Sequence, residues 1–408
     1  MKILIGADTY APDINGSARF AERLAVGLAG RGHEVHVACA SDDGKPRAEL
    51  VGGCVVHRLP SVRYHRHASL RVCLPWQARG PIRGLVEGLR PDVVHVQSHL
   101  VVGRELVDAA RRHRLPLVAT NHFMPENVLG YVPLLPRWLF GPAGRVAWRD
   151  LARVFRHADL VTAPTPRAVR LLEEATGLTG EAVSCGVDAD RFWRATCAAP
   201  ATSAPHLLFV GRLDPEKRIG ELIRAFAQVR AEPAPVLEIV GDGDQRAELE
   251  RLAADLDVDR RVRFHGHVSD EELLSAYGRA AVFCMPSIAE LQSIATLEAM
   301  AAGKPVLAAD AMALPHLVRP DENGWLFPPG DVDRLAGYLQ DLLEDDARRA
   351  AMGHRSRELV ARHAVEATLA QFEALYASLA PAAAPARPRA ALVAARGPDR
   401  QVATTRSR

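Results

Sequence analysis

Short apolar runs alternate with stretches of helical period in both halves of this chain. That pattern predicts an α/β protein of two doubly wound, Rossmann-like parallel-sheet units facing a cleft. Two further observations support it. The 408 residues exceed one ordinary core and suit two domains. A composition of 48% hydrophobic and 25% charged residues is that of a soluble globular chain.

The elements follow in order. Residues 2–6 form the first strand, and residues 18–29 carry apolar side chains at helical spacing before stopping at Gly30-Arg31-Gly32. Residues 35–40, 93–96, 117–120 and 160–163 are further short strands. In the second half, strands are expected at 206–210, 236–240, 262–266, 282–285 and 305–308, with helices at 219–230, 245–255, 270–279 and 294–302. Ser269 with Glu272 three residues later is a capping-box pattern at the start of the 270–279 helix. Ala, Pro, Thr and Ser cluster over 186–205, where the two units should join. The division expected is 1–188 and 189–362. An amphipathic helix within 363–380 follows, and the Ala-, Pro- and Arg-rich tail 381–408 is predicted to be disordered.

Bulk charge narrows the partners. A net charge of +2 does not suit a polyanion binder, so nucleic acid is not an expected partner. The charge is uneven, however. Residues 1–190 hold 24 Lys and Arg against 19 Asp and Glu, and residues 191–362 hold 21 against 27. A basic first half beside an acidic second half suggests different partners for each. The six cysteines form no CxxC pair and no metal-ligand spacing, which argues for a reducing cytoplasm. The chain enters its first strand without a signal-peptide layout, and no run of 18 apolar residues exists.

Parallel sheets bind ligands where their strands end and helices begin, and that rule selects the residues that matter. Gly211-Arg212 and Lys217 follow strand 206–210. Glycine permits a sharp turn, and the two cations then face a diphosphate, or they merely line a solvated turn. Glu290 and Glu298 follow strand 282–285. A carboxylate about two turns into a helix is buried with a partner or faces the cleft. An unpaired buried carboxylate is costly, so its partner is a pair of ligand hydroxyls or one of the chain's many arginines. In the first half, the loop to Gly16 opens a helix whose N–H groups suit phosphate. It is not a GxGxxG, which disfavours a dinucleotide-dependent oxidoreductase. His122 ends strand 117–120, where it is a sugar contact, an acid or base, or a structural histidine; His95 and His99 pose the same choice. Four DxD triplets are scattered through loops as chance would place them, and no metal is assigned. Arginines at 63–71 and at 145, 149, 153 and 156, with the apolar segment 123–148 between them, suit an anionic lipid surface or a solvated face.

Taken in order, Tyr10-Ala11-Pro12…Gly16, Val94-His95-Val96-Gln97-Ser98, His122, Gly186-Val187-Asp188, Gly211-Arg212…Glu216-Lys217, Val240-Gly241-Asp242-Gly243, Phe264-His265-Gly266 and Glu290…Glu298-Ala299-Met300 resemble the retaining family-4 glycosyltransferases of GT-B fold. The resemblance spans about residues 1–380. It implies an acceptor-binding first domain, a nucleotide-sugar-binding second domain and a final helix that crosses back onto the first. It further implies that Arg212 and Lys217 bind the donor diphosphate, and that Glu290 with the following Leu291, Gln292 and Ser293 holds the transferred sugar. Glu298 would hold the ribose, His267 and Val268 would lie at the nucleobase, Gly211 and Gly16 would approach the phosphates, and His122 would lie beside the sugar. Catalytic roles fall on His122, Arg212, Lys217 and Glu290.

The sequence departs from the family pattern at Leu291-Gln292-Ser293, where an aromatic or small residue and glycine are usual. Gln292 is expected to add a sugar contact. Arg218 and Cys185 are further departures, but no charged site residue is lost. The expected activity is therefore retaining transfer of a hexosyl unit from a UDP- or GDP-linked sugar to an acceptor hydroxyl, without metal or further cofactor. The acceptor is a membrane lipid or a small molecule. The location is the cytoplasm, with peripheral contact to an anionic membrane as an option. A non-catalytic nucleotide-sugar-binding protein on the same fold is the alternative.

Overall fold

The computed structural model describes residues 1–13, 15–64, 71–125, 139–200 and 202–379. Most of the basic 63–71 loop, the middle of segment 123–148 and the tail 381–408 lie outside the described residues.

The first unit holds β1 (Lys2–Ala7), β2 (Glu34–Ala40), β3 (Arg47–Val51), β4 (Cys54–Leu59), a small ribbon of β5 (Val62–Arg63) and β6 (Arg71–Val72), then β7 (Val93–Val96), β8 (Leu117–Thr120), β9 (Leu160–Ala163) and β10 (Glu181–Ala182). Its main sheet runs β10-β9-β8-β7-β1-β2-β4-β3. All pairs are parallel except the β3/β4 hairpin. The second unit holds β11 (His206–Val210), β12 (Val236–Val240), β13 (Val262–Gly266), β14 (Ala280–Met285), β15 (Val306–Ala309) and β16 (Gly324–Phe327), in the all-parallel order β13-β12-β11-β14-β15-β16.

Central strands buried on both faces need near-continuous apolar runs, and Ile3-Leu4-Ile5 and Leu207-Leu208-Phe209 are fully buried. Strand order reverses between β1 and β7 in one sheet and between β11 and β14 in the other. Such switch points open a crevice at the strand C-termini. Residues 8–13, 15–16, 97–99, 211–217 and 286–293 therefore converge on one region.

The chain passes from the first sheet to the second at Gly186–Asp188 and returns at His363–Val365. The two crossings are hydrogen-bonded side by side, Val187 N to His363 O at 2.9 Å and Val365 N to Val187 O at 3.0 Å. Helix Val365–Leu379 then buries Leu369, Phe372 and Tyr376 in the first unit's core, together with Phe20, Leu24 and Ile5. Tyr376 OH lies 2.6 Å from Nδ1 of the buried His95, whose Nε2 lies 2.6 Å from Thr120 Oγ1. His95 thus fastens this helix to the sheet.

Much of the Ala- and Pro-rich stretch at 186–205 is not a linker but helix Ala189–Ala198. Its Phe192 packs edge-on against Tyr277, 5.3 Å between ring centres, and so belongs to the second unit. The capping box at Ser269 and Glu272 forms with both of its hydrogen bonds. Helix Pro75–Leu89 had no clear signal, because Gly80, Pro81, Gly84 and Gly88 interrupt its apolar period. The β3/β4 hairpin turns at Gly52-Gly53, both at positive φ.

Candidate active site

Between the two units lies a cleft of ≈ 1010 Å³. Asn15, Gly16 and Arg19 line it from the first unit. Gly211, Arg212, Lys217, Gly241, Asp242, His267, Val268, Glu290, Gln292, Ser293 and Glu298 line it from the second.

Its floor is built by backbone packing. Gly241 has φ of +132°, and a Cβ there would stand 1.9 Å from the Gly211 carbonyl oxygen. Only glycine lets the β11 and β12 loops meet this closely. At Gly16 an added Cβ would meet Ile294 Cδ1 at an ordinary 3.6 Å, so the protein's own packing does not demand glycine there. Asn15 caps helix Gly16–Gly30 by accepting from Ala18 N at 2.9 Å, which leaves that helix's N-terminus at the cleft.

The cations come next. Lys217 ends a single 3-10 turn, Pro215–Lys217, and Arg218 starts helix Ile219–Gln228 from a left-handed conformation. Lys217 Nζ forms a close ion pair with the Glu290 carboxylate. Arg212 pairs with Asp214 and, at 2.9 Å, with Glu216. Burial pushes the Glu216 carboxyl above its ordinary range. Ile288 N donates to Glu216 O at 3.0 Å, which ties the cation turn to the loop that carries Glu290.

Glu298 lies in helix Ile294–Ala301, capped by the Ser293 side chain, and is 4% exposed. The Tyr277 hydroxyl donates to its Oε2 at 2.9 Å. Burial raises the Glu298 carboxyl; Arg23 and Arg19, across the cleft on helix Gly16–Gly30, pull it back down. The carboxylate that faces the cleft is therefore balanced partly by the opposite unit.

Three expected residues behave differently from the rest. His122 is not among the residues lining the cleft. Its Nε2 lies 3.0 Å from Gln97 Oε1 and its ring packs 4.8 Å from that of Phe20; burial holds it down to about 4, neutral at pH 7. The Leu291 side chain is buried among Met124, Ala163, Ala168 and Val169 of the first unit. Gln292 spends its amide on protein rather than leaving it open to a sugar. Its Oε1 accepts from Cys185 N at 2.7 Å and its Nε2 donates to Ser184 Oγ at 3.0 Å.

Comparison with known proteins identifies the family. A model described as glycosyl transferases group 1 matches residues 199–359, and one described as glycosyltransferase family 4 matches residues 14–191. A GDP-mannose-dependent alpha-mannosyltransferase of Mycolicibacterium smegmatis is 31% identical over 374 residues, covering 87% of this chain and 92% of that one. The chain belongs to the glycosyltransferases.

Among solved structures, sucrose-phosphate synthase from Thermosynechococcus elongatus superposes with a TM-score of 0.77 at 25% identity, over 93% of this chain and 99% of that one. Anabaena HepE, crystallised with UDP-glucose, superposes at 0.73 with 20% identity over 93% of this chain and all of its own, a likeness of fold. The fold is GT-B. In this glycosyltransferase the sequence patterns had not pointed to Asn15, Arg19 or Tyr277. Arg19 lies three residues after Gly16, nearly one helical turn, and that spacing is the signal that would have found it.

Proposed function

We propose that this glycosyltransferase moves a hexosyl unit from a nucleoside-diphosphate sugar to an acceptor hydroxyl and keeps the anomeric configuration. The observation that carries the reading is the convergence of Arg212 and Lys217 with Glu290 and Glu298 around one cleft at strand C-termini. Arg212 and Lys217 hold the diphosphate and neutralise the charge that develops as it leaves. Glu298 holds the ribose hydroxyls and Glu290 the transferred sugar, while His122, neutral and paired with Gln97, would act on the sugar only from behind the residues that line the cleft. Glu290 is already committed to Lys217, which suits a charge-positioning role better than a nucleophile's. Attack therefore comes from the face the diphosphate leaves, and a leaving phosphate oxygen takes the acceptor proton.

The relatives dependent on GDP-mannose make that sugar the first donor to test. For the acceptor, a lipid is supported by exposed apolar groups on the basic first unit. Trp76 is 74% exposed, and Val146 is 61% exposed between the exposed Arg145 and Arg149. No helix among the described residues is long and apolar enough to cross a membrane. The proposed location is the cytoplasmic face of the membrane, bound peripherally.

A thermal-shift series with GDP, UDP and their sugars tests the donor, because binding to the folded state raises its melting temperature. Product stereochemistry by NMR tests retention, and a covalent sugar trapped on Glu290 would overturn the front-face mechanism. Failure to sediment with anionic vesicles would remove the lipid acceptor's support.

A further inference from the structure

One loop of the second unit is seated in the first. Leu291 inserts its side chain into an apolar pocket of Met124, Ala163, Ala168 and Val169. Its carbonyl accepts from Thr165 Oγ1 at 2.8 Å. The neighbouring Gln292 bridges to Cys185 N and Ser184 Oγ. Ser184 is itself at the crossing of the chain. Its Oγ lies 2.9 Å from His363 Nδ1, and its carbonyl accepts from Thr368 Oγ1 at 3.0 Å. Glu290, whose carboxylate lines the cleft, directly precedes this seated segment. Its position is therefore fixed by groups from both units.

We propose that Leu291 and Gln292 form a latch that holds the two units closed through the chain's own contacts. Gln292 then acts as a positioning residue that sets the Glu290 carboxylate against the first unit. Domains joined by a small polar contact move freely by default, and an apolar knob combined with buried hydrogen bonds opposes that motion. Opening would exchange each of these bonds for one to water at a modest net cost and would expose the apolar knob, so the two kinds of contact resist opening together.

Only the kinetic part of the test rests on the proposed function. Small-angle X-ray scattering of the full chain, with and without saturating GDP or UDP, compares wild type with Leu291→Ala, Gln292→Ala and Gln292→Glu. The ligand-free wild type should already have the closed radius of gyration. Leu291→Ala and Gln292→Ala should expand when ligand-free, with melting still cooperative. Gln292→Glu should stay compact, since a carboxylate accepts from both Cys185 N–H and the Ser184 hydroxyl. With GDP-mannose, donor KM in Gln292→Ala should rise roughly tenfold, with kcat less affected. A ligand-free wild type that scatters as an open molecule overturns the latch, and this arm needs no variant to fold. Variants that scatter as wild type does also overturn it, whatever their KM. If neither nucleotide binds, the donor reading fails while the ligand-free comparison still decides the latch.

Discussion

Lys217 and Glu290 share one ion pair, so altering either disturbs both. In Lys217→Ala the diphosphate loses a cation and the buried Glu290 is left without its partner. Turnover should fall at least ~100-fold, the usual cost of removing one preorganised group at developing charge. Glu298→Ala should lose most turnover as well, through the ribose. Near-normal kcat/KM in both would refute the site. Tyr277→Phe is milder. It removes the hydroxyl that orients Glu298 while keeping the ring on Phe192, so donor KM should rise a few-fold with the fold intact, a change that steady-state kinetics resolves. Strand ends announce themselves, which brought Arg212, Lys217, Glu290 and Glu298 into view, but residues 211–218 hold five charged side chains, and only the family resemblance singled out which of them to expect at the cleft. Tyr277 and Arg19 were not legible, because Arg19 reaches the cleft, and the buried Tyr277 reaches Glu298 behind it, only through how one helix packs on its neighbours. Gln292 was read as a sugar contact because a polar side chain beside Glu290 gives no hint that Ser184, more than a hundred residues earlier, would claim it.

At the scale of elements, the strands were the most legible part. Fully buried parallel strands must be apolar, and their short runs mark their own boundaries. Val93–Val96, Leu117–Thr120, Leu160–Ala163, His206–Val210 and Val236–Val240 match their expected ranges. Helices with broken period were hidden, Pro75–Leu89 above all. The loops between elements carry their own constraint. Gly241→Ala would push a methyl into the Gly211 carbonyl and hold an alanine at φ of +132°. Something must move, and strain of this kind costs about 1–3 kcal/mol. Melting temperature should drop, and nucleotide affinity with it, because the displaced segment carries Arg212. A melting curve that coincides with wild type would show that the two loops are not packed backbone to backbone.

Acid should not affect the two units of the molecule equally. Burial holds His95 near about 3 and His99, His122 and His363 near about 4. The unfolded chain protonates these rings near 6.5 while the folded chain does not. The stability they contribute is thus fully present above pH 6.5 and is lost as pH falls toward 4. Three of them lie in the first unit and the fourth at the crossing. Buried carboxyls raised by burial act in the opposite direction: Asp8 offsets part of the histidine effect in the first unit, and Glu216 and Glu298 lie in the second, where none of these four histidines lies. Hydrogen exchange between pH 7 and 5 should therefore show the first unit opening first. Equal or reversed loss of protection would contradict the assignment of neutral histidines.

The hydrogen-bonded double crossing also bears on how this enzyme is made. The His95 ring binds Tyr376, 281 residues further along the chain. A ribosome delivers the first sheet early but delivers its covering helix last, after every strand of the second unit has emerged. Until then Phe20, Leu24 and Ile5 lack the apolar surface that Leu369 and Phe372 later provide. The nascent first unit must wait with an open face, and the second unit, complete in itself, can finish folding before the unit that precedes it in the gene. A chaperone that recognises exposed apolar surface would thus find its client in the first-made half of the nascent chain.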